Sequence, residues 1–180
     1  QEAALAMEAF SGPENITVNA NANSLHTEGR RAFAAMEDAR SAIARSTSAR
    51  PDEVIFTSGA TEADNAAIFG IVGAAAQKVC QRGQADFVPH LIISSSEHDA
   101  VLQPAHRLES EGVEVTYVEP DRRGIVSPAS IESALQPNTV LVSIMLANNE
   151  VGSIQPVAEI AKVVHAVGAL MHTDAVQAFG

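Results

Sequence analysis

The chain has 180 residues, 46% hydrophobic and 4% aromatic, with a formal net charge of -11. That length suffices for one substantial core of aliphatic side chains, and the acidic balance excludes nucleic acid as a partner, since phosphate neutralisation needs a basic patch and the pairs Arg30-Arg31 and Arg122-Arg123 are isolated. No segment has the uninterrupted apolar length of a membrane span, and Gln1-Glu2-Ala3 opens without the basic and apolar regions of a secretory leader. The expectation is a globular cytoplasmic protein with no membrane partner. A single cysteine, Cys80, excludes an internal disulfide and a cysteine-based metal cluster; within Ala74-Ala75-Ala76-Gln77-Lys78-Val79 it reads as a structural thiol rather than a nucleophile.

No repeat or low-complexity tract interrupts the chain. Apolar residues at helical spacing (Leu25, Phe33, Met36, Ile43) among Arg and Glu predict an amphipathic helix over residues 24–46, broken by Pro51-Asp52-Glu53. The β-branched run Val54-Ile55-Phe56-Thr57 reads as a short strand, and after Ser58-Gly59 a helical pattern runs from 61 to about 81. The same grammar repeats as strand 91–94, helix 100–110, strand 113–118, short helix 128–135, strand 140–146, helix 157–167 and strand 169–173. Apolar strands alternating with helices give an α/β class with a parallel or mixed sheet buried on both faces.

In such sheets ligands collect at the carboxyl ends of strands. The polar residues of this sequence cluster there, in Thr57-Ser58-Gly59, Ser94-Ser95-Ser96-Glu97-His98, Asn148-Asn149-Glu150 and His172-Thr173-Asp174. Asp174 follows an apolar strand, so its carboxylate needs a cation or hydrogen bonds once desolvated. Ser58-Gly59-Ala60-Thr61 opens a helix directly after a strand, where free N–H groups suit a phosphate; simple N-capping by Ser58 or Thr61 is the alternative. Neither a Walker signature nor Gly-x-Gly-x-x-Gly is present, and His98, Asp99, His172 and Asp174 lack any metal-ligand spacing, so no metal is expected.

The segments Thr57-Ser58-Gly59-Ala60-Thr61-Glu62-Ala63-Asp64-Asn65, Ser96-Glu97-His98-Asp99-Ala100-Val101, Gly112-Val113-Glu114-Val115-Thr116-Tyr117, Val140-Leu141-Val142-Ser143-Ile144-Met145, Asn148-Asn149-Glu150-Val151-Gly152 and His172-Thr173-Asp174-Ala175-Val176-Gln177 closely resemble the NifS-like cysteine desulfurases. These are class V aminotransferase-group enzymes of fold type I that depend on pyridoxal 5'-phosphate (PLP). The resemblance runs in order from about Asn23 to Gly180. It implies a three-layer large domain like that of aspartate aminotransferase, mostly parallel, with helices on both faces. It also implies cofactor-binding roles for Ala60 and Thr61 (phosphate), His98 (ring stacking and proton transfer), Asn149 and Gln177 (hydrogen bonds to the cofactor) and Asp174 (pyridine nitrogen).

The same resemblance implies an L-cysteine substrate, L-alanine and enzyme-bound persulfide sulfur as products, a sulfur-acceptor protein as partner, a role in iron–sulfur cluster assembly, and a homodimer. A family lysine that holds PLP and a family cysteine that attacks sulfur match nothing here: Lys78 and Lys162 lie in helical patterns, and Cys80 lies in a helix-like stretch. The expected organisation is therefore an N-terminal helix and loop over 1–22, starting inside a helix at Ala3 to Phe10, and a partial PLP-binding large domain over 23–180. On this reading the later strands, the lysine and the small C-terminal domain are absent, and the piece alone is inactive and marginally stable or partner-dependent. A selenocysteine lyase, an aminotransferase of the same class, or a non-catalytic binding and assembly module are the alternatives.

Overall fold

A computed structural model describes residues 20–81, 83 and 86–178. They form two compact units that divide between Phe56 and Thr57. The helix expected from Ala3 to Phe10 lies outside the described residues.

In the first unit, helix α1 (Thr27–Ser46) starts three residues later than its apolar spacing suggests. Ser24 N–H closes a turn on Asn21 O at 2.9 Å, and His26 takes the cap position, its Nδ1 accepting Gly29 N–H at 3.1 Å. Leu25 is left outside the helix and exposed. Gly29 is buried in that turn, and a Cβ built on it would meet Ser24 O at 2.2 Å and Asn21 O at 2.9 Å. Backbone oxygens cannot yield as a flexible side chain can. Gly29→Ala is therefore expected to destabilise the protein by about 1–3 kcal/mol through overpacking, read as a lowered melting temperature of the complete protein.

The run Val54-Ile55-Phe56-Thr57 belongs to no strand, contrary to its β-branched composition. Val54 N–H is taken by Pro51 O at 3.2 Å, closing the 3₁₀ turn Pro51–Glu53. Val54 O accepts from the Arg40 guanidinium, which also lies over the Phe56 ring at 4.8 Å. Ile55 remains 81% exposed. β-Propensity describes fit to a sheet surface, and without a paired neighbour the same residues form an irregular segment.

The second unit is built as the strand–helix alternation predicts. Helix α2 (Ala60–Gln81) is followed by β1 (His90–Ser94), α3 (Asp99–Ser110), β2 (Glu114–Val118), α4 (Pro128–Ala134), β3 (Thr139–Ser143), α5 (Val157–Ala166) and β4 (Leu170–His172). All three strand pairings are parallel, in the order β2-β1-β3-β4. Successive side chains point to opposite faces, and two separate cores result. Ile92 and Val142 pack with Ile131 of α4 and with Ile160 and Val164 of α5. Leu91, Ile93 and Leu141 pack on the other face with Ile68 and Val72 of α2 and with Val101, Ala105 and Leu108 of α3. The result is a helix–sheet–helix sandwich whose central strands β1 and β3 are the most buried, while β2 and β4 are half-covered.

Fully buried His90 opens β1 between two hydroxyls, Nδ1 at 2.8 Å from Thr139 Oγ1 and Nε2 at 2.8 Å from Thr116 Oγ1. It ties the amino ends of β1 and β3 to the middle of β2. Burial lowers its pKa below the usual imidazole range, against the attraction of Glu114.

Candidate functional site

The loops that leave the carboxyl ends of β1, β3 and β4 meet the start of α2 around a cavity of about 140 Å³. Its walls include Ala60, Thr61, His98, Asn149, Asp174 and Gln177, together with Met145 and Val176. Every residue singled out in the sequence as a cofactor contact therefore lies on one depression.

Each wall has a local cause. At the start of α2 the exposed Glu62 carboxylate accepts Ser58 N–H at 2.8 Å and Ser58 Oγ–H at 2.6 Å, bonds that hold it below the usual carboxylate range. The acid therefore closes the preceding turn, in place of the Ser58 or Thr61 cap considered from sequence. Ala63 N–H is the first to bond back, to Gly59 O at 3.2 Å. The N–H groups of Ala60 and Thr61 thus stand at the free, positive end of a 22-residue helix.

His98 is both the last residue of the β1–α3 loop and the cap of α3, its Nδ1 accepting Ala100 N–H at 3.1 Å. Opposite it, Asn148 closes the turn that carries Asn149. Asn148 Oδ1 accepts the N–H groups of Glu150 and Val151, both at 2.9 Å, and its Nδ2 donates to Ser96 O at 3.0 Å. The turn is tied off by an antiparallel bridge between Ala147 and Ile154.

Asp174 is 9% exposed. Its Oδ1 accepts Val176 N–H at 2.9 Å, and no Lys or Arg pairs with it among the described residues. The requirement read from sequence, a partner for this carboxylate, is met only in part by the chain itself.

Three groups around Asp174, namely Asp64, Glu97 and His172, have no individual role assigned from sequence, although Glu97 and His172 stand among the polar residues noted at strand ends. Asp64, on the buried face of α2, lies with Oδ1 3.4 Å from His172 Nε2, and His172 Nδ1 lies 2.7 Å from Ser143 Oγ. Burial, reinforced by the Asp174 charge and opposed by His98, pushes Asp64 up to about 6. Glu97 Oε1 accepts Met145 N–H at 2.7 Å; burial pushes Glu97 up to about 8, with Met145 N–H opposing and Asp174 and Asp64 reinforcing the rise. His172 is lowered by burial against the attraction of Asp174. The only sequence signal for these residues was position, each lying within two residues of a strand end or a predicted contact.

The cavity thus offers helix N–H groups at one end, a buried carboxylate at the other and an imidazole at its wall. This donor set fits a compact ligand that carries an anionic group and a protonated ring nitrogen. Among the described residues, no three His, Cys, Asp or Glu side chains gather as a metal site.

Residues 7–180 match the family described as aminotransferase class V. The chain belongs to the class V aminotransferases. Within this family it is 45% identical over 160 residues to the cysteine desulfurase IscS of Dictyoglomus turgidum, an alignment spanning 89% of this chain and 38% of that protein. It is 43% identical over 171 residues to the cysteine desulfurase IscS of Pseudomonas syringae pv. tomato, spanning 93% of this chain and 40% of that protein. Among solved structures, SspA in complex with cysteine aligns with a TM-score of 0.85 at 37% identity, covering 96% of this chain and 47% of that one. A NifS-like protein aligns with a TM-score of 0.80 at 37% identity, covering 95% and 44%. The chain therefore spans less than half the length of these class V relatives. Their likeness agrees with the parallel sheet and its helical faces.

Proposed function

We propose that the complete protein is a PLP-dependent cysteine desulfurase, taking L-cysteine to L-alanine and retaining the sulfur for an acceptor protein. The observation that carries this reading is the convergence of Ala60, Thr61, His98, Asn149, Asp174 and Gln177 on one cavity, in a chain similar to cysteine desulfurases over nearly all its length. SspA, solved with cysteine, supports the substrate class.

When bound, PLP supplies an electron sink for chemistry at the α-carbon of an amino acid. The chain's own residues supply the rest. Ala60 and Thr61 N–H groups receive the phosphate, and the carboxylate of Asp174 holds a proton at the ring nitrogen. Asn149 and Gln177 fix the polar edge, and the His98 ring covers the site and exchanges a proton with the reacting centre. Lys78, Lys162 and Cys80 are absent from the cavity wall, and Cys80 is exposed near the far end of α2. None of these three is assigned as the lysine that anchors the cofactor or the cysteine that receives sulfur. A homodimer in the cytoplasm, serving iron–sulfur cluster assembly, completes the reading, supported by similarity to proteins named IscS.

The test is product analysis of the complete protein with L-cysteine and a thiol reductant, expecting L-alanine and sulfide in equal amounts. Alanine from selenocysteine alone would make it a selenocysteine lyase. Amino-group transfer to a keto acid without sulfide would make it an aminotransferase, and absence of all three activities would leave a binding module.

A further inference from the structure

Three buried carboxyl groups lie close enough to influence one another, Asp174 in the cavity wall and Asp64 and Glu97 behind it: Asp64 is 4%, Glu97 6% and Asp174 9% exposed. Among the described residues the groups facing them are few. Helix α2 contributes Asp64, the β1–α3 loop Glu97 and His98, and the end of β4 His172 and Asp174. The end of β3 adds the uncharged Ser143 and Met145 N–H. Two imidazoles are thus the only side chains there able to carry positive charge. Two oxygens, Asp64 Oδ2 and Glu97 Oε2, are buried without a hydrogen-bond partner. Three like charges desolvated together, two of them with an oxygen that no donor reaches, are not sustainable, so a proton must reside among them.

Glu97 also lines a second depression, of about 540 Å³, on the far side of His98, with Ser95, Ser96, Asn148 and Asn149 in its wall. Glu97 thus borders this second depression, while Met145, whose N–H its Oε1 accepts, lines the first.

We propose that Glu97 is a proton-releasing positioning residue: it is neutral while the cavity lacks a cation, and it discharges its Oε2 proton to solvent when a protonated ring nitrogen settles on Asp174. No bond other than this O–H breaks; the proton leaves through the second depression, and the new carboxylate is balanced by the arriving cation. The inference rests on the cofactor reading above. A rise of Glu97 to about 8 places the exchange near neutral pH. The sign follows from linkage: a ligand that expels a proton binds more tightly as pH rises through that range.

The test uses the complete apoprotein and 4'-deoxypyridoxine 5'-phosphate, which keeps the phosphate and ring nitrogen but has no aldehyde to react with lysine. Calorimetry at pH 7.5 in two buffers of different ionisation enthalpy counts the protons released. Wild type is expected to release about half a proton more than Glu97→Gln, and its affinity to gain about threefold more from pH 7 to 8, the comparison cancelling the ligand's own titration. In parallel, the infrared band of a protonated carboxyl is expected to weaken on binding in wild type and not in the variant. If Glu97→Gln does not fold, Asp64→Asn replaces it: removing a neighbouring negative charge lowers Glu97 and reduces the protons released. Equal release by wild type and a folded variant overturns the proposal while leaving the cofactor reading intact. Failure of wild type to bind the probe overturns both.

Discussion

Asp174→Asn in the complete protein is expected to lower turnover of L-cysteine by about 10²–10³-fold, the usual scale for removing one preorganised electrostatic group from an active site. The substitution keeps the shape of the side chain and the Oδ1 acceptor for Val176 N–H. What it removes is the negative charge proposed to hold a proton on the ring nitrogen. The loss is therefore expected in the rate constant for the chemical step more than in the amount of cofactor retained, because the helix N–H groups at Ala60 and Thr61 are untouched. Stopped-flow kinetics with saturating L-cysteine, alongside cofactor content by absorbance, separates the two. Near-wild-type turnover with a full cofactor load would remove Asp174 from the role assigned to it.

Asn148→Ala is the second substitution with a large expected effect, although Asn148 itself is not a proposed contact. Its side chain satisfies the N–H groups of Glu150 and Val151 and the carbonyl of Ser96, in a residue only 8% exposed. Truncation leaves part-buried polar groups of two loops without their partners, each worth about 0.5–1.5 kcal/mol as a net hydrogen bond. A loss of about 1–3 kcal/mol in stability is expected on that scale, with a lowered cofactor affinity because Asn149 and His98 sit on the two loops being joined. Asn148→Asp retains the acceptor for Glu150 and Val151 but not the donor to Ser96, so it is expected to preserve the turn and lose the tie. Chemical denaturation and cofactor titration of both variants check this; an Ala variant as stable as wild type would refute it.

These two residues also show what was legible in the sequence. Asp174 stood out because a carboxylate after an apolar strand must be compensated, and the alternation of apolar strands and helices led directly to β1–β4 and the helices that cover them. Asn148 did not stand out, because its value lies in Ser96, 52 positions away, and a turn of Asn-Asn-Glu reads the same whether or not its side chains reach a neighbouring loop. Asp64 has no role assigned from the sequence, where it stands only within the segment from Thr57 to Asn65. Only the packing of α2 on the sheet turns it inward to His172. The run Val54-Ile55-Phe56-Thr57 failed in the opposite direction: its composition is that of a strand, but composition cannot supply the partner that makes one.

His98 does two jobs with one side chain. Its Nδ1 accepts Ala100 N–H and so caps α3, while the same ring stands in the cavity wall. Replacing the ring therefore removes a helix cap worth about 1 kcal/mol together with the wall, and α3 supplies Val101, Ala105 and Leu108 to the core. A substitution at this position is felt by the fold as well as by the cavity, and the two effects separate only in a variant that keeps an acceptor at the cap.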